Sequence, residues 1–157
     1  MAALNSGRRR RRADRGAELI ELAIVLPILL LVLAAIIDFG FLFQKWESLT
    51  NAAREGARIA TLPGYTGGAG GDVEARIRSY LNATGMPAGP AVIPPVAYTT
   101  ETLPSGKTVS LATVTVSYPA GLRYLGPIAA LIGGTSQASI MIRAVSTMRL
   151  EGAAGGS

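Results

Sequence analysis

The sequence predicts an α+β fold in which a long N-terminal transmembrane helix carries an antiparallel sheet on its outer half. Three observations lead there. Sixteen consecutive uncharged residues, Leu22 to Ile37, are apolar apart from Pro27. An amphipathic pattern continues beyond them at helical spacing to Ala60. Residues 113–118 then alternate Thr113-Val114-Thr115-Val116-Ser117-Tyr118, the period of a sheet with one buried face.

The charge is confined to one end. The chain has 157 residues and a net charge of +5. Residues 1–16 hold six arginines (Arg8 to Arg12 and Arg15) and one acid, Asp14, leaving nine basic and nine acidic residues in the remainder. The body therefore offers no basic face for nucleic acid, whose recognition needs Lys and Arg spread over a folded surface. Cysteine and histidine are both absent. That removes thiolate ligands, disulfides and the commonest general base. Ser110, Ser136 and Ser139 have no recognisable base partner, so no catalytic site is expected. No cofactor, metal or small-molecule substrate is implied.

A bilayer core takes about 20 apolar residues in a helix. The stretch from Leu19 to Phe43 meets that length, with Glu21 near one end and Asp38 near the other. The arginines put the N-terminal side in the cytoplasm by the positive-inside rule. A cleaved secretory signal competes with this reading, but Ile36-Ile37-Asp38-Phe39-Gly40 offers no small-x-small cleavage site. The order that follows is a basic cytoplasmic leader (1–16), a transmembrane helix (17–43) and its continuation outside the membrane (44–62). An extracytoplasmic α+β region (63–151) and a disordered tail (152–157) complete it.

Within the helix, Pro27 removes one backbone hydrogen bond and is expected to kink or loosen it. Asp38 is expected at the outer interface. Phe39, Leu42, Phe43, Trp46, Leu49, Ala53, Gly56, Ala57 and Ala60 form an apolar stripe that the C-terminal region should cover. The small residues Ala52, Ala53, Gly56, Ala57 and Ala60 permit very close packing, either under the protein's own sheet, which is preferred, or against another subunit's helix.

Glu21 is the most informative single residue. A carboxylate in a lipid-embedded helix costs about 2.5–3.5 kcal/mol at the bilayer centre and less towards an interface. It lies either at the cytoplasmic headgroup level beside Arg15, or in wait for a cationic partner such as a neighbouring chain's N-terminal amine. The second arrangement turns its cost into a drive to assemble.

Beyond the helix, Gly64 to Gly71 reads as a loop. Asp72 is the expected N-cap of a short helix bearing Val73, Ile77, Tyr80 and Leu81. Pro87 to Pro95 should be extended. Strands are expected over 96–102 and 108–118, joined by the turn Leu103-Pro-Ser-Gly-Lys107. Leu122 to Ile132 is too short to span and is broken by Gly126-Pro127, which suggests a loop or short helix. Ile140, Ile142, Ala144, Ser146, Met148 and Leu150 mark a last strand, with Arg143 and Arg149 on its other face.

The junction Arg15-Gly16-Ala17-Glu18-Leu19-Ile20-Glu21, followed by Leu-Ala-Ile-Val-Leu-Pro27, resembles a type IV prepilin leader. The wider set of residues resembles the TadE-like pilus-assembly family (minor pilins or pseudopilins of the Tad type IVb system). It consists of Glu21-Leu-Ala-Ile-Val-Leu-Pro27, Ile-Ile-Asp38-Phe-Gly40, Ala52-Ala53-Arg54-Glu55-Gly56-Ala57-Arg58 and the closing Met148-Arg149-Leu150-Glu151. Leu22 and Ala17 stand where related pilins often carry Tyr and Phe. The resemblance implies a pilin-like fold and cleavage by a prepilin peptidase between Gly16 and Ala17, with Glu21 as fifth mature residue acting in assembly. It also implies a non-enzymatic role in adhesive Tad (Flp-like) pili at the inner membrane, with membrane lipid, other pilus subunits and the Tad machinery as partners. The alternative from the residues alone is a single-pass anchored extracytoplasmic sensor or binding protein with an uncut leader.

Overall fold

The computed structural model describes residues 6–131 and 139–150, with the backbone alone over residues 6–17, 129 and 131. The expected tail at 152–157 lies outside these residues, as does Ser136. The elements run α1 (Ser6–Ala60), α2 (Asp72–Ala83), β1 (Ala97–Thr102), β2 (Thr108–Gly121), α3 (Leu125–Leu131) and β3 (Ser139–Arg149). This is the expected α+β order.

α1 is one helix of 55 residues, about 82 Å long at 1.5 Å per residue. It begins within the basic leader and not at Ala17. Arginine and alanine are both strong helix formers, and the run Arg8 to Ala13 outweighs the weaker Asp14 and Gly16, so the helix extends backwards. Pro27 lies inside it. The stretch from Glu18 to Ala60 is long and apolar enough to cross a membrane.

The sheet has the order β1-β2-β3 and is antiparallel throughout, with Tyr98 opposite Ala112 and Val116 opposite Ala144. Its turn follows the sequence: Gly106 takes φ +79°, and Leu103 N–H donates to the Lys107 carbonyl at 2.8 Å. β2 runs three residues past the expected end at Tyr118, through Pro119. Ser117 exchanges backbone bonds with Val92, both at 2.9 Å, so that side of β2 faces away from β3. The nitrogen of Pro119, two residues on, points the same way, and the proline therefore costs no bond to β3.

α2 departs in one detail. Its N-cap is Gly71, without a side-chain cap bond, and Asp72 is the first helical residue. Thr66 Oγ1 accepts from Asp72 N–H at 3.2 Å instead. The expected face is otherwise present, with Val73, Ile77 and Leu81 buried and Tyr80 half-buried.

The core lies between the outer half of α1, α2 and the inner face of the sheet. Leu49, Ala52, Ala53 and Ala57 meet Ile77, Leu81, Val114 and Val116 there. The apolar stripe of α1 is only partly covered. From Leu49 onward it is buried, whereas Phe39, Phe43 and Trp46 remain 71%, 63% and 44% exposed. The helix angle explains the division. Asp38, Leu49 and Ala60 lie 11 residues apart, about three turns, and so line up on one face. Phe39 and Phe43 lie about 80–120° round from Leu49, beyond the reach of a three-stranded sheet.

Candidate functional site

From Leu19 to Ile37 the helix is a bare, largely apolar rod. Leu19, Ile24, Leu29 and Leu33 are all about half exposed or more, as lipid-facing side chains are in the absence of lipid. Glu21 is exposed within this rod. Gly16 and Ala17 have helical backbone, continuous with the residues on either side.

At the top of the rod sits a group whose role no sequence pattern announced. Asp38 is 2% exposed. Its Oδ1 accepts from Arg123 N–H at 3.0 Å and Tyr124 N–H at 3.1 Å. Its Oδ2 accepts from Tyr124 N–H at 3.0 Å and Leu125 N–H at 2.7 Å. These donors open α3, whose first N–H groups have no partner within the helix. A carboxylate from α1 therefore caps α3 across 85 to 87 residues of chain. The Arg123 guanidinium also lies 5.8 Å from the centre of the Phe41 ring, within cation–π range.

Higher up, small residues set how closely the layers approach. Ala52, Ala53 and Ala57 are fully buried and Ala60 is 3% exposed. Gly56 lies beneath α2, where a Cβ would stand 2.6 Å from Ile77 Cδ1 and 3.4 Å from Val114 Cγ1. That stripe is occupied by the chain's own α2 and sheet. Beside it, Glu55 accepts from Arg58 Nη2 at 2.9 Å on its own helix and from Arg76 Nη2 at 3.0 Å on α2. The hydrogen bonds from Arg58 and then Arg76 hold the Glu55 carboxyl far below its ordinary 4.5, at about 2. Arg78 ties α2 to the proline-rich connection, donating to the Ala88 carbonyl at 2.6 Å.

Among the described residues no three His, Cys, Asp or Glu side chains come together as a metal site would need. An open pocket of about 200 Å³ lies between α1 and the end of α2, lined among others by Gln44, Lys45, Ser48, Thr84 and Tyr118, and no carboxylate lines it.

No curated protein and no solved structure matches the chain. The family model of TadE-like protein matches residues 16–58. That segment begins at the Gly16–Ala17 junction and ends at Arg58, taking in Glu21, Pro27, Asp38 and the small-residue stripe as far as Ala57. Over these residues the chain is similar to the TadE-like family, the one that its motifs resemble.

Proposed function

We propose that this chain is a non-enzymatic minor pilin or pseudopilin that contributes to assembly of Tad-type adhesive pili. The observation that carries the reading is the TadE-like match over residues 16–58, which takes in a rod of exposed apolar side chains with the exposed carboxylate of Glu21 among them. On this reading the rod is held in the inner membrane, with the arginine-rich end cytoplasmic and the head outside. A prepilin peptidase removes residues 1–16 and leaves Ala17 as the new N-terminus. Glu21 then pairs with a cation of a neighbouring subunit, such as a free N-terminal amine. The pairing relieves the cost of a carboxylate near lipid and so favours assembly. The small-residue stripe serves to seat the head on its own helix, which leaves the membrane half for contacts with other subunits.

The test is intact mass and N-terminal sequence of the membrane-extracted protein, expressed with and without a prepilin peptidase. The expected result is a peptidase-dependent start at Ala17 in protein that stays in the membrane. From the same cells, Glu21→Ala should leave insertion unchanged and abolish co-purification with other pilus subunits. An uncut chain in both samples, or undiminished co-purification of Glu21→Ala, would refute the corresponding step.

A further inference from the structure

We infer that Leu122–Leu131 is a membrane foot, an interfacial segment that rests in the outer headgroup layer beside α1 and fixes the height of the head. The inference rests on the reading that α1 spans the bilayer.

Level is the first argument. Leu19 to Ile37 is 19 residues, about 28 Å of helix, close to the roughly 30 Å of a hydrocarbon core. Asp38 is the next residue, and it is bonded to the backbone of Arg123, Tyr124 and Leu125. The start of α3 is therefore held at the edge of the hydrocarbon. The exposed aromatics point the same way. Phe39, Phe43 and Trp46 follow each other along one flank of α1, and the Phe43 and Trp46 rings lie 5.8 Å apart. An indole such as that of Trp46 at such a position marks a membrane–water interface. With Leu19 at the inner edge of the hydrocarbon, Asp38 stands at its outer edge and Phe39 is the first of these aromatics beyond it.

Chemistry is the second argument. α3 reads Leu-Gly-Pro-Ile-Ala-Ala-Leu, with no charge. Leu125 and Ile128 are only half-buried and Pro127 is exposed, so the protein's own surface covers this helix incompletely. It is entered through Arg123 and Tyr124, the latter 45% exposed. Both have an apolar body and a polar tip, which suits a headgroup layer. The first N–H groups of a helix have no partner within it and need one from elsewhere. The Asp38 carboxylate is that partner for the three that open α3, which gives an acid at the end of an apolar rod a reason to be there. Continuity with the lipid-facing rod selects lipid as the occupant.

The full chain, with Trp46→Phe to remove the native fluorophore, is reconstituted in vesicles of phosphatidylcholine and phosphatidylglycerol. The acyl chains carry bromine either near the headgroup or near the chain end, and acrylamide reports access from water. Pro127→Trp supplies the probe, and Tyr124→Trp repeats the measurement with an aromatic-for-aromatic exchange. Leu30→Trp reports on the rod, and Val92→Trp on the exposed head. Both foot probes should lose most of their fluorescence to shallow bromine and less to deep bromine, with weak quenching by acrylamide. Adding Asp38→Ala should release them to acrylamide. Foot probes that behave like Val92→Trp, while Leu30→Trp is quenched by deep bromine, would overturn the foot and leave the spanning helix intact. Foot probes that no quencher reaches would overturn it in favour of cover by a second copy or another subunit. If Leu30→Trp is itself unquenched by lipid, the spanning reading fails first and the foot with it.

Discussion

Replacing Asp38 by alanine removes the acceptor of four close contacts from three backbone N–H groups and leaves the rest of α1 untouched. Hydrogen bonds to a charged group contribute about 1.5–3 kcal/mol each, but three such values do not add. Once the first turn of α3 loosens, its N–H groups can reach water or headgroups. Loss of an ordinary helix cap costs about 0.5–2 kcal/mol, and here the cap also joins two distant elements. A local loss of about 2–3 kcal/mol follows, between those bounds. Hydrogen exchange in nanodiscs reads it directly, because amides that exchange by local opening report the free energy of that opening. Protection of the Arg123, Tyr124 and Leu125 amides should fall about 30- to 150-fold, at 1.36 kcal/mol per factor of ten. Amides around Ile77 and Val116 in the core should keep theirs. Asp38→Asn retains one acceptor oxygen and should lose less than about tenfold. If Asp38→Ala changes protection at those three amides by less than about twofold, corresponding to under about 0.5 kcal/mol, then α3 is held by something else and the capping argument is wrong.

Two further outcomes follow from the head. Gly56→Ala gains about 1 kcal/mol of helix propensity, but its Cβ would stand 2.6 Å from Ile77, and overpacking costs about 1–3 kcal/mol. A lower melting temperature is expected, with a larger drop for Gly56→Leu, and a more stable Gly56→Ala would show that the layers are not in close contact. The Glu55 carboxyl, lowered to about 2, favours the folded head fully above its ordinary value of 4.5 and loses that contribution as pH falls towards 2. The melting-temperature gap between the native chain and Glu55→Gln should therefore narrow steadily from pH 4.5 to about pH 2, and a gap that stays constant over that range would contradict the pairing with Arg58 and Arg76.

Local pattern accounts for what the sequence made legible. The rod was readable because sixteen uncharged residues admit few alternatives, and β2 because Val114, Val116 and Tyr118 alternate with hydroxyl side chains. The turn at Gly106 was readable because a positive φ selects glycine. The close packing at Gly56 was partly readable: small residues at helical spacing say that something approaches, but not whether α2 or a second chain does. The role of Asp38 was not readable. Its partners lie 85 to 87 residues away, and a carboxylate at the end of an apolar run reads equally well as a solvated interface residue. The bare flank from Phe39 to Trp46 escaped for a related reason. Periodicity shows which residues share a stripe, whereas the reach of the covering sheet depends on strand number and register. The helical leader was missed because a run of arginines was read for its charge and not for its helix propensity.

Because the head is fastened to α1 at Asp38, along the small-residue stripe and at Glu55, it has no freedom to swivel about the helix axis. The azimuth of Glu21 is thereby locked to the azimuth of the head, across 17 residues of continuous helix, nearly five turns. The anchor thus carries a phase as well as a length. One residue added between Glu21 and Asp38 would lengthen the rod by only about 1.5 Å, yet turn the head by about 100° relative to whatever Glu21 engages. A rod that only had to reach across lipid would tolerate that insertion, whereas one that presents its head in a fixed direction would not.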